Sequence, residues 1–336
     1  MGQKWAQKIQ LGRETVAGTA VAATAVWRGV GGMLKDDREV TMVEERVGYA
    51  QPILRSYIGK VTGSLSMEAT PATFEQLPHI LEAGIKTVGT GAADGAGSGK
   101  IYAYTAPTTA VNTIKTYTIE TGDNTQVEEM AYCFVEKFTI GGKRGEAVMM
   151  EADWIGREVA NSTFTGSLAV PTVDEIITGA GQLFIDANSG TIGTTAITGT
   201  LLEWELSVTT GWRGKWTVDA GQLYFNFHYF DLDSYEAELS MTFEHDATLV
   251  AEKAFLRSNT SRLIRIKLTG PATATAGTAH SAKTLMLDMP TIYTEFDALD
   301  SEDGNGIVKI TGTVGYDPTD GTGLAITVVN ELSAIS

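Results

Sequence analysis

Residues 91–100, GAADGAGSGK, come nearest to a nucleotide-binding motif in this chain. A phosphate-cradling loop, G-x4-G-K-[ST], needs glycine at its first position and a hydroxyl residue after the lysine to hold Mg²⁺. Here those positions are Asp94 and Ile101, so the stretch reads as a flexible loop. A dinucleotide fingerprint fails as well, because Gly89 and Gly91 are followed by Asp94 at the third glycine and no crossover helix is predicted after them. Zinc needs clustered imidazoles and thiolates. The four histidines (His79, His228, His245, His280) have no H-x3-H or H-E-x-x-H spacing, and Cys133 is the single cysteine. Asp231 with Asp233, and Asp300 with Glu302, Asp303 and Asn305, are oxygen-rich enough for Ca²⁺. The second cluster lacks the D-x-[DN]-x-[DN]-G order, and exposed acidic turns are the plainer reading of both. There is no G-x-S-x-G elbow. A glycosidase would need one carboxylate pair, and among 41 acidic residues nothing singles out a pair. The expectation is a protein without catalytic residues, metal or cofactor.

Composition narrows the classes further. The chain has 336 residues, enough for two ordinary domains, with 25 basic and 41 acidic residues and a net charge of −16. A surface this acidic repels a phosphate backbone, because nucleic-acid binding depends on Lys and Arg displacing counterions. No apolar run reaches the roughly 18–20 residues of a spanning helix, and MGQKWAQKIQ lacks a signal-peptide core. No membrane partner and a cytoplasmic site of synthesis are expected. Cys133 is expected to be a buried structural thiol.

The elements that would carry any function are mostly strands. Residues 1–35 form a Gly/Ala/Thr/Val-rich arm without sustained period. Its Trp5, Trp27 and Val30 suggest order gained against a neighbouring subunit, since solvated tails seldom carry two tryptophans. From Glu39 to Glu68 two extended runs flank a bend at Gly48–Pro52, followed by a short helix with Thr70 as N-cap, Pro71 at its first position, a kink at Pro78 and a stop at Gly84. Residues 86–112 read as a long Gly-rich loop, another candidate contact through Gly95, Gly97, Ile101 and Tyr102. Strands are expected at Thr113–Glu120, Ala131–Ile140 and Glu146–Trp154, with a connection over 166–200. Further strands begin at Leu201, Lys215 (to Asp219), Leu223, Ser234, Leu263, Lys283, Gly306 and Leu324, and a helix over Ala247–Arg257 is capped by Asp246. A strand-then-helix unit recurs: VTGSLSMEATPATFEQLPHILEAG from Val61 and YEAELSMTFEHDATLVAEKAFLRS from Tyr235 align with Leu-Ser-Met identical at 65–67 and 239–241. The domains expected are thus 36–165 and 201–336, each a small β unit with one helix. Such repetition suits a building block of a symmetric assembly.

Taken together, GRETVAGTAVAATAVWRG, the hairpin before LSMEATPATFEQLPHILEAG, TIETGDNTQVEEMAYCFVEKFTIGGKRGEAVMMEADWIGRE and the closing MPTIYTEFDALDSEDGNGIVKITGTVGYDPTDGTGLAITVVNEL resemble the tail tube (major tail) proteins of long-tailed bacteriophages. The resemblance implies two tandem tail-tube-like β-sandwich or barrel domains, each with a flanking short helix and long hairpins. It implies rings of three chains with pseudo-sixfold symmetry, or of six, stacked into a hollow tube in the virion and assembled in the bacterial cytoplasm. Implied partners are other copies of the chain and the tape measure, terminator and distal tail proteins, with DNA passing through the lumen without specific binding. The lumen-facing acids expected on this reading are Glu39, Glu44, Glu45, Glu203 and Glu205. Two other readings remain: a carbohydrate-binding or adhesin module, suggested by Trp204, Trp212, Trp216 and the run LYFNFHYF (223–230), and a capsid decoration or tail terminator protein.

Overall fold

The computed structural model of the chain describes residues 2–51, 53–218, 220–297, 301–302 and 304–336. Pro52, Asp219, Asp300 and Asp303, which entered the expectations above, lie outside them. Among the described residues the chain is mainly antiparallel β, as its alternating patterns predict, with nineteen strands and two α-helices.

The first half carries β1 (Lys8–Arg13), β2 (Ala25–Val26), β3 (Lys35–Glu45), β4 (Ile53–Pro71), α1 (Leu77–Gly84), β5 (Ala92–Ala93), β6 (Lys100–Thr105), β7 (Tyr117–Gly122), β8 (Val127–Lys143), β9 (Met149–Gly156) and β10 (Val159–Asn161). The second carries β11 (Gly181–Ala187), β12 (Ala196–Ile197), β13 (Leu201–Lys215), β14 (Phe227–Glu244), α2 (Ala247–Ser258), β15 (Arg262–Ala272), β16 (Ala282–Asp297), β17 (Ser301–Glu302), β18 (Asn305–Val314) and β19 (Ala325–Asn330). The two halves use the same pairings in the same order. β2-β1-β7-β8-β10 is matched by β12-β11-β15-β16-β19. The hairpin β3–β4 with β9 and β8 is matched by β13–β14 with β18 and β16. Registers agree as well: Leu65 faces Trp154 and Leu239 faces Gly312, with bulges at Glu136 in β8 and Thr294 in β16. Leu65-Ser66-Met67 and Leu239-Ser240-Met241 therefore occupy equivalent sites, with Leu and Met inward in both.

The halves join in one sheet, because β13 adds to β8 from Glu203↔Lys143 to Thr209↔Lys137. Beneath this junction lies a core shared by both halves, including Leu65, Met67, Phe138, Trp154, Trp204, Leu206, Leu239 and Leu287. Lys283 of β16 ties the first half to the connection through ion pairs to Glu75 (2.5 Å) and Asp174 (2.6 Å).

Several local expectations change. Thr70 and Pro71 complete β4 opposite Met150 and Met149, since the ladder to β9 outcompetes an isolated helix cap. The helix starts at Leu77, and Pro78, at its N-terminal end where no helical N–H is needed, does not kink it. α2 is capped as read: Asp246 accepts the Leu249 N–H at 2.9 Å, and Asn259 closes the helix in the left-handed region at φ 50°. The arm region contributes β1 and β2 to the first half's own sheet, and the 166–200 connection contributes β11 and β12 to the second's. Lys215 ends β13, and residues 216–218 and 220–226 carry no strand at the end of the β13–β14 hairpin, where strands from Lys215 and from Leu223 were expected.

Candidate functional site

Side chains alternate across each strand. On β13, Trp204, Leu206, Val208 and Thr210 are buried while Glu203, Glu205, Ser207 and Thr209 point out. Cross-strand register extends the outward set in both directions. β8 adds Lys137, Thr139 and Lys143, and β9 adds Glu151 and Asp153. β14 adds Glu236, Glu238, Ser240 and Thr242, β18 adds Lys309, Thr311 and Thr313, and β16 adds Glu295 and Asp297. One face of the joined sheet is thus built of carboxylates and small hydroxyls, with acids outnumbering the three lysines. Ser66 Oγ donates to Asp153 Oδ1 at 2.7 Å within it. Glu151, Glu203, Glu205 and Lys143 line a shallow recess of about 200 Å³.

Of the five acids singled out in the sequence, Glu203 and Glu205 stand at the centre of this face. Glu39 and Glu45 share its side by strand alternation, out along β3, with Glu45 ion-paired to Arg55 at 2.9 Å. Glu44 alternates to the opposite side with Val40 and Met42, so the structure does not group it with the others. Glu151, Asp153, Glu236 and Glu238 were missed in the sequence. Their signal was present as single acids between buried residues, and only cross-strand register shows that they share a face.

The sheet is open at two places. β3 pairs with β4 along one edge, and among the described residues no strand occupies its other edge. The end of β16, Ile292–Asp297, pairs with β18 on one side, and no described strand pairs with the other. By register these are the counterparts of the two edges that β13 and β8 close against each other. Unpaired edges are templates for adding another strand. Next to the open β16 edge, a cleft of about 280 Å³ lies between α2 and the sheet, lined by Val250, Lys253, Phe296 and Asp297. The matching helix α1 is covered instead. All its residues are buried, Trp212 beyond the junction donates its Nε1–H to Gly84 O at 3.0 Å, and Tyr104 covers it from β6.

The proposed contact residues of the arm and loop divide. Trp5 is 83% exposed and Val30 is also exposed. Trp27 is buried in its own chain, its N–H donated to Ile9 O, because β2 folds back on β1. Residues 100–105 are strand β6, added to β19 of the second half, which buries Tyr102 and half-buries Ile101. Gly97 lies against the backbone of Ala276 and Gly277, and Gly95 against Thr278, so both glycines serve an internal close approach. Asp94 holds that contact. Its carboxylate accepts the N–H groups of Ala279 and His280, both at 2.7 Å, and the hydrogen bond from Ala279 is the main cause holding its pKa below the ordinary range.

The remaining chemistry-bearing residues are structural in placement. Asp231 accepts Ser234 Oγ in the bulge of β14 between Phe230 and Tyr235, and Asp233 is exposed. Among the described residues no group of three or more His, Cys, Asp or Glu is arranged to hold a metal ion. Among the described residues no helix is long and apolar enough to cross a membrane. Cys133 is buried, and burial pushes its thiol well above the ordinary pKa. In the aromatic run, Phe225 packs edge-on against Tyr132 and Phe134, with ring centroids 5.2 and 5.8 Å apart. No protein-family profile matches the chain, and neither does any curated protein sequence.

Proposed function

We propose that this chain is a structural protein that closes into rings by repeating, between copies, the seam it already makes within itself, and that stacked rings form a phage tail tube. The carrying observation is the β8–β13 junction. It joins an edge of the first half to the hairpin of the second, while the equivalent edges, β16 and β3, at opposite ends of the sheet, are met by no further strand among the described residues. A surface that pairs head to tail with a copy of itself generates a ring when the rotation closes. The cleft over α2 supports the reading, since the covering that α1 receives inside the chain would come to α2 from β3 of the next copy. The acidic, hydroxyl-rich face then runs on one side of a continuous sheet. As the lumen wall it would hold a DNA duplex off by like-charge repulsion, screened over about 8 Å at physiological salt.

Electron microscopy of the concentrated protein, with averages down the ring axis, tests this. Closed rings or tubes with an open channel are expected, and threefold averages would follow from two modules per chain. Dispersed monomers at every concentration and salt tried would overturn the reading.

A further inference from the structure

The seam inside the chain is more than a strand pair, because the end of the β13–β14 hairpin folds over onto the first half and is seated there. Leu223 O accepts the Val61 N–H at 3.0 Å. Arg157 donates from Nε to Phe225 O at 3.0 Å and from Nη2 to Asn226 O at 2.6 Å. Phe225 is fully buried in a satellite cluster with Ile114, Tyr132, Phe134 and Trp212. Register identifies the corresponding places in the second half: Tyr235 for Val61, Gly315 for Arg157, and Ile292 for Phe134. One hydrogen bond confirms the match, since Arg157 N–H is donated to Ala131 O and Gly315 N–H to Pro290 O.

Those second-half positions line two empty grooves on either side of Gly315. One, of about 690 Å³, is walled by Leu232, Tyr235, Tyr316 and Val111, and corresponds to the seat of Leu223. The other, of about 370 Å³, contains Pro290 and Ile292 and corresponds to the seat of Phe225. Leu232, Tyr316, Val111 and Ile292 are all exposed, whereas Phe134 is buried. The hairpin that matches β13–β14 is β3–β4, and it carries exposed apolar residues where the other is buried. Trp212 faces Phe230 across its hairpin as Val40 faces Ile58, and Val40 is 49% exposed against 3% for Trp212. At its turn, Val47 and Tyr49 are 57% and 73% exposed.

We infer that the β3–β4 turn of one copy, through Val47 and Tyr49, fills the twin grooves astride Gly315 of the next copy, completing there the cluster that Phe225 completes within the chain. The inference rests on the ring reading above and names the lock of its intermolecular seam. The occupant is a second copy because both the groove and the segment are the unmatched members of a pair whose other members are already joined.

The test mixes two variants that each add one exposed cysteine to the buried Cys133, Tyr49→Cys on one chain and Tyr316→Cys on another, with a short bismaleimide linker, and scores both chain-to-chain crosslinking and particle mass. Val170→Cys, at an exposed site elsewhere, replaces Tyr316→Cys as the control. Assembly with crosslinking at 49–316 and not at 49–170 supports the inference. Assembly without the 49–316 crosslink overturns it and leaves the ring reading standing. Absence of any assembly, by the unmodified chain as well, overturns both. In a second arm, Val47→Ser with Tyr49→Ser removes only exposed apolar groups, so the monomer's thermal unfolding should not change. The concentration for half-assembly should rise at least tenfold, and an unchanged value would overturn the inference.

Discussion

Buried carboxylates pin each helix to its half. Glu82 of α1 is fully buried and takes a two-pronged ion pair from Arg13, at 2.7 and 2.8 Å, with the Tyr117 hydroxyl at 3.1 Å. Glu252 of α2 takes the same partners from other positions, Arg262 at 2.9 Å and Tyr293 at 3.1 Å. Tyr117 also meets His79 Nδ1 at 3.3 Å. Since burial, then Glu82, hold the Tyr117 proton firmly, and that proton goes to Glu82, His79 must supply the proton of the second bond from Nδ1. Burial, then the charge of Arg13, pull the His79 pKa down to about 4. The imidazole is therefore neutral in the fold, while in the unfolded chain it protonates below its ordinary 6.5. Its contribution is complete above pH 6.5 and is lost as the pH falls toward 4, by ~3 kcal/mol at 1.36 kcal/mol per unit. Urea titrations between pH 7 and 4 should show this loss, and His79→Gln should flatten the curve through that window.

At the level of strands and helices, the internal seam predicts the register of the external one. Transferring β8–β13 onto β16 and β3 sets Asp37 opposite Glu295 and Lys35 opposite Asp297. The first pair is two like charges directly opposed, which is unfavourable by a few tenths to about 1 kcal/mol. Asp37→Asn or Glu295→Gln should thus lower the concentration for half-assembly several-fold, and added salt should favour assembly of the unaltered chain. Light scattering across a salt series checks both. This register was half legible in the sequence. Leu-Ser-Met at 65–67 and 239–241 marked the repeat, because the core demands apolar residues at those two inward sites of each sheet. Asp246 marked α2, because a cap is a local interaction. What stayed hidden was set by distant partners. Residues 100–105 pair along their whole length with β19, some two hundred residues on, against two residues of the nearby β5, and Pro71 stays extended in its pairing with Met149. The acids of the polar face were visible singly, but their grouping depends on long-range register that no local pattern carries.

Considered whole, the molecule places its charge unevenly. A net −16 is spread over the chain, yet the sheet face holding Glu151, Asp153, Glu203 and Glu205 concentrates acids with hydroxyls between them. These side chains are exposed and lie away from both open edges, so replacing them should spare assembly. Glu203→Lys combined with Glu205→Lys should give rings of normal appearance that retain duplex DNA at physiological salt, where the unaltered rings do not. Retention that is equal in both, measured by cosedimentation, would remove this face as the channel wall. The joining of β13 to β8 has one further consequence, for disassembly. A ring of such chains alternates seams held by a continuous backbone with seams held only by contact, and dilution can separate only the second kind. Breakdown then stops at the two-module chain with its inner lock intact, so each released unit keeps a correctly registered half-seam at either end and can rejoin without refolding.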